Sequence, residues 1–149
     1  MAENFIVYRK IIFDSDDYAQ TLLLRHEVLR RPWGKSIAED DLSGERDDLI
    51  YGAFDGLSLV GMAILQDRGE PYDKLRFMAV NEDYRGQRIG ATIAKELESR
   101  ARRASKKGIR LAARTSVIPF YEKLGYVIDG ERFIPDHIPV EHIHMVLDF

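Results

Sequence analysis

Between Gly86 and Lys107 the chain changes period. Ile89, Ile93, Leu97, Ala101 and Ala104 recur every three or four residues, while arginines and lysines take the other faces. This spacing predicts a long amphipathic helix with one stripe to bury, and Gly108 is placed to stop it. A strand signal, Lys74 to Val80, stands directly before it, so a strand feeds the helix through the turn from Asn81 to Ala91. A strand that passes straight into an amphipathic helix commits the chain to a sheet with helices laid over it.

The remaining segments fit that plan. Phe5 to Phe13 reads as a first strand. Ser15 caps a helix with Asp16 and Asp17 in its first turn, Leu22, Leu23, Val28 and Leu29 as a buried stripe, and Pro32 as its end. Residues 34–48 read as an acidic loop containing at most one helical turn. Leu49 to Phe54 and Leu57 to Gln66 form a hairpin across Asp55-Gly56. Ile109 to Arg114 reads as a buried strand, Ile118 to Leu124 as a short helix ended by Gly125, and Tyr126 to Phe133 and His142 to Leu147 as closing strands. The order β-α-ββ-β-α-β-α-β-β predicts one α/β (α+β) domain over residues 1–149, with a mixed sheet covered by helices.

Composition removes several functions. Without cysteine there is no thiolate nucleophile, and no Cys-ligated metal or disulfide. The run Val60 to Leu65 falls far short of the roughly 20 apolar residues of a membrane span. The start MAENFIVYRK has no signal-peptide pattern, so a soluble, cytoplasmic domain without membrane contact is expected. The net charge of −3 divides unevenly. Residues 85–110 carry nine Lys or Arg against two Glu, a net +7, and the rest of the chain carries −10. The acidic counterpart is Ser36 to Asp48, with six acids opposed only by Arg46. Such a dipole speaks of partners, not of fold. A pI near 5.8 and the lack of aromatics interleaved along 85–110 argue against nucleic acid.

The turn into the long helix is the informative place. Free N–H groups at a helix start suit phosphate. Gly86 and Gly90 allow close approach, and Arg85 and Arg88 add charge. Read from the residues alone, this is a phosphate or pyrophosphate site or an ordinary strand–helix turn. Its spacing matches neither the Walker loop nor the dinucleotide fingerprint.

The segment Arg85-Gly86-Gln87-Arg88-Ile89-Gly90-Ala91 resembles the acetyl-CoA pyrophosphate loop, Q/R-x-x-G-x-G/A, of GNAT-type N-acetyltransferases. Ile118-Pro119-Phe120-Tyr121-Glu122-Lys123-Leu124-Gly125-Tyr126 resembles the same family's second signature, "FYEKLGF". The ending Phe133…Ile138-Pro139…His142-Ile143-His144-Met145 is similar to a bacterial subgroup ending in "F…GIPHxxM", with extra residues before the His. The resemblance implies a single GNAT-like domain: a mixed, mostly antiparallel twisted sheet of 6–7 strands flanked by about four helices. Two positions depart from the family pattern. Arg88 stands where the loop usually has Gly. Arg114, seven residues before Tyr121, stands where many members carry an Asn that contacts pantetheine.

The resemblance further implies direct acetyl transfer from acetyl-CoA, as co-substrate, to a primary amine of a small molecule or peptide. Pyrophosphate would rest on Arg85, Gly86, Gln87, Arg88, Ile89, Gly90 and Ala91. Pantetheine would run beside the strand, where an amide near Met78, Ala79 or Val80 polarises the thioester at a bulge. Tyr121 is the candidate catalytic acid. A phenol of pKa about 10 is protonated at neutral pH and can serve the leaving thiolate. Without the motif, the same tyrosine reads as a packing residue. Candidates for the base are Glu27, Asp41, Glu45, His137 and His142, or a water chain. His142 and His144 alternate on one strand face, a pair too poor in carboxylates to predict a metal. The acidic loop Glu39 to Asp48 would attract a cationic acceptor such as a polyamine, amino sugar or lysine side chain. The family allows a homodimer, and also an acyl-CoA-binding sensor of the same fold without turnover.

Overall fold

A computed structural model describes residues 5–149. Seven strands and three α-helices follow one another as β1 (Ile6–Ile11), α1 (Asp16–Arg25), β2 (Leu49–Asp55), β3 (Ser58–Gln66), β4 (Tyr72–Val80), α2 (Ile89–Arg103), β5 (Gly108–Arg114), α3 (Ile118–Lys123), β6 (Val127–Ile128) and β7 (His142–Asp148). They form one sheet in the order β1-β2-β3-β4-β5-β7-β6, in which only β4 and β5 run parallel. This is the mixed α/β sheet that the pattern predicted, mostly antiparallel as the resemblance implied.

Each face of the sheet carries its own core. α1 lays Tyr18 and Leu24 on Ile11, Ile50, Phe54, Met62 and Ile64. On the opposite face, α2 lays the predicted stripe of Ile89, Ile93, Leu97 and Ala101 on Val60, Leu65, Leu75, Ile109 and Met145, and α3 adds Tyr121 and Leu124.

Several predicted details change. Ser15 does cap α1, accepting from the Tyr18 N–H, but the helix buries Tyr18, Thr21, Leu24 and Arg25 while Leu23 is 70% exposed. Leu22, Val28 and Leu29 of the predicted stripe do pack, partly buried, against the α1-side core, and the polar Thr21 and Arg25 face inward beside them. α1 gives way at His26 to a π-turn, His26–Arg30, and Pro32 falls within a following 3₁₀ turn. The acidic segment forms two 3₁₀ turns, Ile37–Glu39 and Ser43–Asp47, and no fourth α-helix. Gly108 does not stop α2. The helix closes on Ser105, with φ +61°, whose N–H bonds the Arg102 carbonyl while the Lys106 N–H reaches Ala101. Gly108 instead opens β5, where a Cβ would overlap the Leu147 carbonyl oxygen and the Tyr72 ring. The predicted strand from Tyr126 to Phe133 shrinks to Val127–Ile128 plus a single bridge from Phe133 to His142.

Two irregularities open the sheet in its middle. β4 and β5 pair only through Tyr72–Gly108, Asp73–Ile109 and Lys74–Arg110, and then part. Across β3 the register moves from Met62–Ala79 to Ile64–Arg76, so β4 holds one extra residue there, with Phe77 at φ +58°. An aromatic residue in the left-handed region is strained by about 1–2 kcal/mol, and it needs support from outside the strand. The Arg25 guanidinium supplies this, 4.0 Å from the Phe77 ring centroid, with Arg76 4.4 Å from the same ring. Arg25 is fully buried and is held by Glu45 through two bonds of 2.8 and 2.9 Å, and the Tyr18 hydroxyl donates to the same carboxylate at 2.7 Å.

Removing one partner of a buried ion pair strands the other in a medium that cannot solvate it. Glu45→Ala therefore lowers stability by about 3–5 kcal/mol, read as a fall in the urea midpoint with unchanged slope.

Candidate functional site

The parting of β4 from β5 opens a groove of about 1030 Å³. Strand alternation and register assign its walls. Met78, Val80, Ile89, Phe120 and Tyr121 pack on the α2 side of the sheet. Lys74 and Arg76 lie on the α1 side, because Arg76 pairs with Ile64 of the α1-side core and Lys74 pairs with Arg110 across the parallel seam. Arg114 and its partner His142 share that side. The groove thus passes through the sheet from one face to the other.

On the α2 side, the turn before the helix is built for an anion. Gly86 sits at φ +84° and Arg88, the N-cap, at φ +61°, so neither is helical, and α2 begins at Ile89, three residues later than the period suggested. The first amides of α2 have no acceptor within the helix, and its dipole points positive there. The left-handed N-cap also explains why a glycine suits this position. Arg88 adopts the same conformation with a side chain. Arg85, Gly86, Arg88, Ile89, Gly90 and Ala91 all line the groove, joined by Lys123 from α3.

Two predicted contact residues are not among the groove's lining side chains, though the contact expected of Ala79 is a main-chain one. The Ala79 side chain is buried in the α1-side core, since the bulge reverses which residues of β4 face α2, so only its backbone is available. Gln87 is exposed on the turn and outside the groove lining. The bulge itself centres on Phe77, one residue before the predicted stretch.

Tyr121 lines the groove and is only 7% exposed, its ring edge-on to Phe120 and Tyr126. Burial pushes its phenol well above the ordinary tyrosine range, so it keeps its proton at any physiological pH.

Of the five predicted base candidates, the structure brings His137 and His142 to the groove and leaves the other three elsewhere. Glu45 is the buried partner of Arg25, Glu27 is exposed and paired with Arg31 at 2.8 Å, and Asp41 is turned to Ser43. Burial lowers the pKa of both histidines. For His142, Arg114, His137 and Arg30 push the same way, against the Val140 carbonyl. For His137, Arg30 and Arg76 lower and Asp40 and Asp136 raise. His142 Nδ1 lies 2.6 Å from the Val140 carbonyl, which only accepts, so Nδ1 carries the proton and Nε2 keeps its lone pair.

The acidic loop does not reach the groove. Asp40 binds Arg30 through bonds of 2.9 and 2.8 Å, Glu45 binds Arg25, and Asp48 binds Gln66 and Arg68. Asp40 and Glu45 are fold-forming partners of interior arginines and Asp48 is tied to Arg68, so these three carboxylates are spent within the fold. No Asp or Glu is among the groove's lining residues. Sequence reading missed Lys74, Arg76 and Lys123 in this wall. The alternation Lys74-x-Arg76 on a strand was the available signal, since two cations on one face of a central strand need a reason. Among the described residues, no group of three or more His, Asp or Glu side chains is placed to hold a metal, and no helix is long and apolar enough to cross a membrane.

Comparison with known proteins gives a consistent picture. The family model described as an acetyltransferase (GNAT) domain matches residues 16–149. A Bacillus subtilis (strain 168) protein named uncharacterized N-acetyltransferase YjcF is 32% identical over 110 residues, covering 73% of this chain and 75% of its own. Among solved structures, Escherichia coli ElaA superposes with a TM-score of 0.77 at 21% identity, over 95% of this chain and 99% of its own. An acetyltransferase from Bacillus anthracis str. Ames, in complex with acetyl coenzyme A, superposes at 0.60 with 23% identity over 69% and 64%. Those two likenesses speak for the fold.

The strained N-cap yields a ligand-independent check. Arg88→Gly leaves the protein as stable as before or up to about 1 kcal/mol more stable, whereas Arg88→Val, β-branched and disfavoured at positive φ, loses about 1–2 kcal/mol. Thermal melts of the two variants read the difference, and equal melting of both contradicts the left-handed assignment.

Proposed function

The chain belongs to the GNAT family of acetyltransferases, and from that premise we propose that it moves the acetyl group of acetyl-CoA directly to a primary amine of a small molecule or peptide. The carrying observation is the groove through the sheet. An anion cradle and a protonated tyrosine stand on its α2 side, and a neutral imidazole stands on its α1 side.

The residues fit acetyl-CoA. Its pyrophosphate suits the first amides of α2 with Arg85, Arg88 and Lys123 around them, and the groove sets no carboxylate against it. Beyond Lys74, β4 has no β5 partner, so an extended pantetheine arm can lie along it as a further strand would. A main-chain amide at the Phe77–Val80 bulge polarises the thioester carbonyl, a contribution of order 3 kcal/mol for one well-placed donor.

Each proton has a place. An ammonium acceptor gives its proton to His142 Nε2, whose tautomer is fixed by Val140. The freed amine attacks the carbonyl carbon, the N–C bond forms and the C–S bond breaks. Tyr121 hands its proton to the departing thiolate, the second proton of the acylated nitrogen passes through solvent to the phenolate, and the proton taken up by His142 is released to solvent. With no cysteine in the chain, an acetyl-cysteine intermediate is excluded, which supports direct transfer.

Thiol release from acetyl-CoA, followed with a chromogenic disulfide across an amine panel, tests the reading. Tyr121→Phe lowers kcat by about 10²-fold or more, the usual scale of a lost proton donor, and leaves the KM for acetyl-CoA within a few-fold. An unaltered kcat removes Tyr121 from the mechanism. In wild type, kcat falls as pH drops below about 6.5, because a depressed histidine pKa puts the acid limb below the ordinary value. His142→Gln loses that limb, and a limb that survives the substitution assigns the base to another group.

A further inference from the structure

We propose that the acceptor is an amine carrying a carboxylate, held on the α1 side of the groove by Arg76 and Arg114; this rests on the acetyl-transfer reading above. The argument is one of unmatched charge. The groove is lined by seven Lys or Arg side chains and three histidines, with no Asp or Glu. Arg85, Arg88 and Lys123 belong to the anion cradle. Of the four on the other side, Arg30 is spent on Asp40 through a bidentate pair. Lys74, Arg76 and Arg114 have no carboxylate partner among the described residues.

Their surroundings sharpen the mismatch. Arg76 is half-buried, lies against the Phe77 ring, and makes no ion pair among the described residues. Arg114 donates one hydrogen bond of 2.9 Å to the Leu29 carbonyl, and its guanidinium lies 5.9 Å from the Trp33 ring centroid. Burial makes the charged form of both arginines harder to hold, and for Arg114 the nearby Arg30 adds to this. The acids that favour the charge of Arg76, Glu45, Asp48 and Asp40, are already committed to Arg25, Arg68 and Arg30. Guanidinium groups left partly desolvated at the wall of a cavity are the donors that a carboxylate satisfies, with charge and geometry together. A polyamine would meet only cations on the same wall.

The geometry also serves the reaction. Arg114 and His142 are register neighbours on β5 and β7, so a carboxylate on Arg114 places the rest of a short acceptor beside the imidazole. The occupant is therefore a compact amino acid or a peptide presenting a carboxylate near its amine.

Two measurements decide it. With CoA bound, glutarate and its neutral analogue glutaramide are titrated against the fluorescence of Trp33, the chain's single tryptophan. Glutarate binds about tenfold or more tightly than glutaramide, as expected when a charged hydrogen bond replaces a neutral one. Arg114→Gln and Arg76→Gln each erode the preference, and Arg114→Lys restores part of it. Equal affinity for the two compounds overturns the proposal.

In the second measurement, glycine and β-alanine are compared with their carboxamides and with spermidine by thiol release. The carboxylates have the higher kcat/KM, and Arg114→Gln raises the acceptor KM while the acetyl-CoA KM holds. Faster turnover of spermidine or of the carboxamides overturns the carboxylate assignment and leaves acetyl transfer intact. Glutarate-selective binding with no thiol release from any amine supports the anion site and overturns acetyl transfer.

Discussion

The buried pair of Arg25 and Glu45 is the interaction on which the groove depends. An arginine with no solvent exposure is costly to bury, and its carboxylate partner with the Tyr18 hydroxyl meets much of that cost. Once held, the guanidinium lies over the Phe77 ring and supports the one residue of β4 in a left-handed conformation. The bulge it supports turns β4 away from β5 and reverses the faces that Met78 and Ala79 present. A neutral, well-packed core could match this pair for stability, but it would leave the bulge without the cation that stacks on it.

The helix α2, the Asp55-Gly56 hairpin and the Ser15 cap were legible because each is written in neighbouring residues: a repeat of three or four, a turn dipeptide, an oxygen beside a helix start. The cradle was legible for the same reason, and for the clustering of Arg85, Gly86, Arg88 and Gly90. What stayed hidden depends on residues distant in sequence. Glu45 resembled a loop acid until Arg25, twenty residues earlier, was found beneath it. Gly108 looked like a helix stop because glycine commonly is one, whereas its role is set by Leu147 and Tyr72. The bulge at Phe77 has no local signature at all, since nothing in an aromatic residue announces a positive φ.

The charge asymmetry of the sequence is reshaped by the same long-range contacts. Within the basic block, Arg100 and Arg103 lean on Glu96 and Arg102 on Glu98, the two acids already counted in its net +7, and Lys106 reaches outside the block to Asp67. The acidic segment is answered by Arg25, Arg30 and Arg68. Bulk charge by segment was a poor guide to the electrostatics of the site. The cations that matter are the few whose neighbours are aromatic rings and carbonyls instead of acids.

The short parallel seam between β4 and β5 divides the sheet into β1 to β4 on one side and β5, β7 and β6 on the other, joined within the sheet at one end and bridged over one face by the core under α2. The joint is fastened by Lys107 N–H to the Pro71 carbonyl at 2.8 Å and Lys106 Nζ to the Glu70 carbonyl at 3.0 Å. From Lys74 to Val80, at about 3.3 Å per residue, the free arm is roughly 20 Å long. A rotation of only about 5° at the joint moves its tip by nearly 2 Å, more than the ~1 Å misplacement that already slows a positioned reaction. Residues at the fastened end, far from any reacting atom, thereby set the gauge of the whole passage.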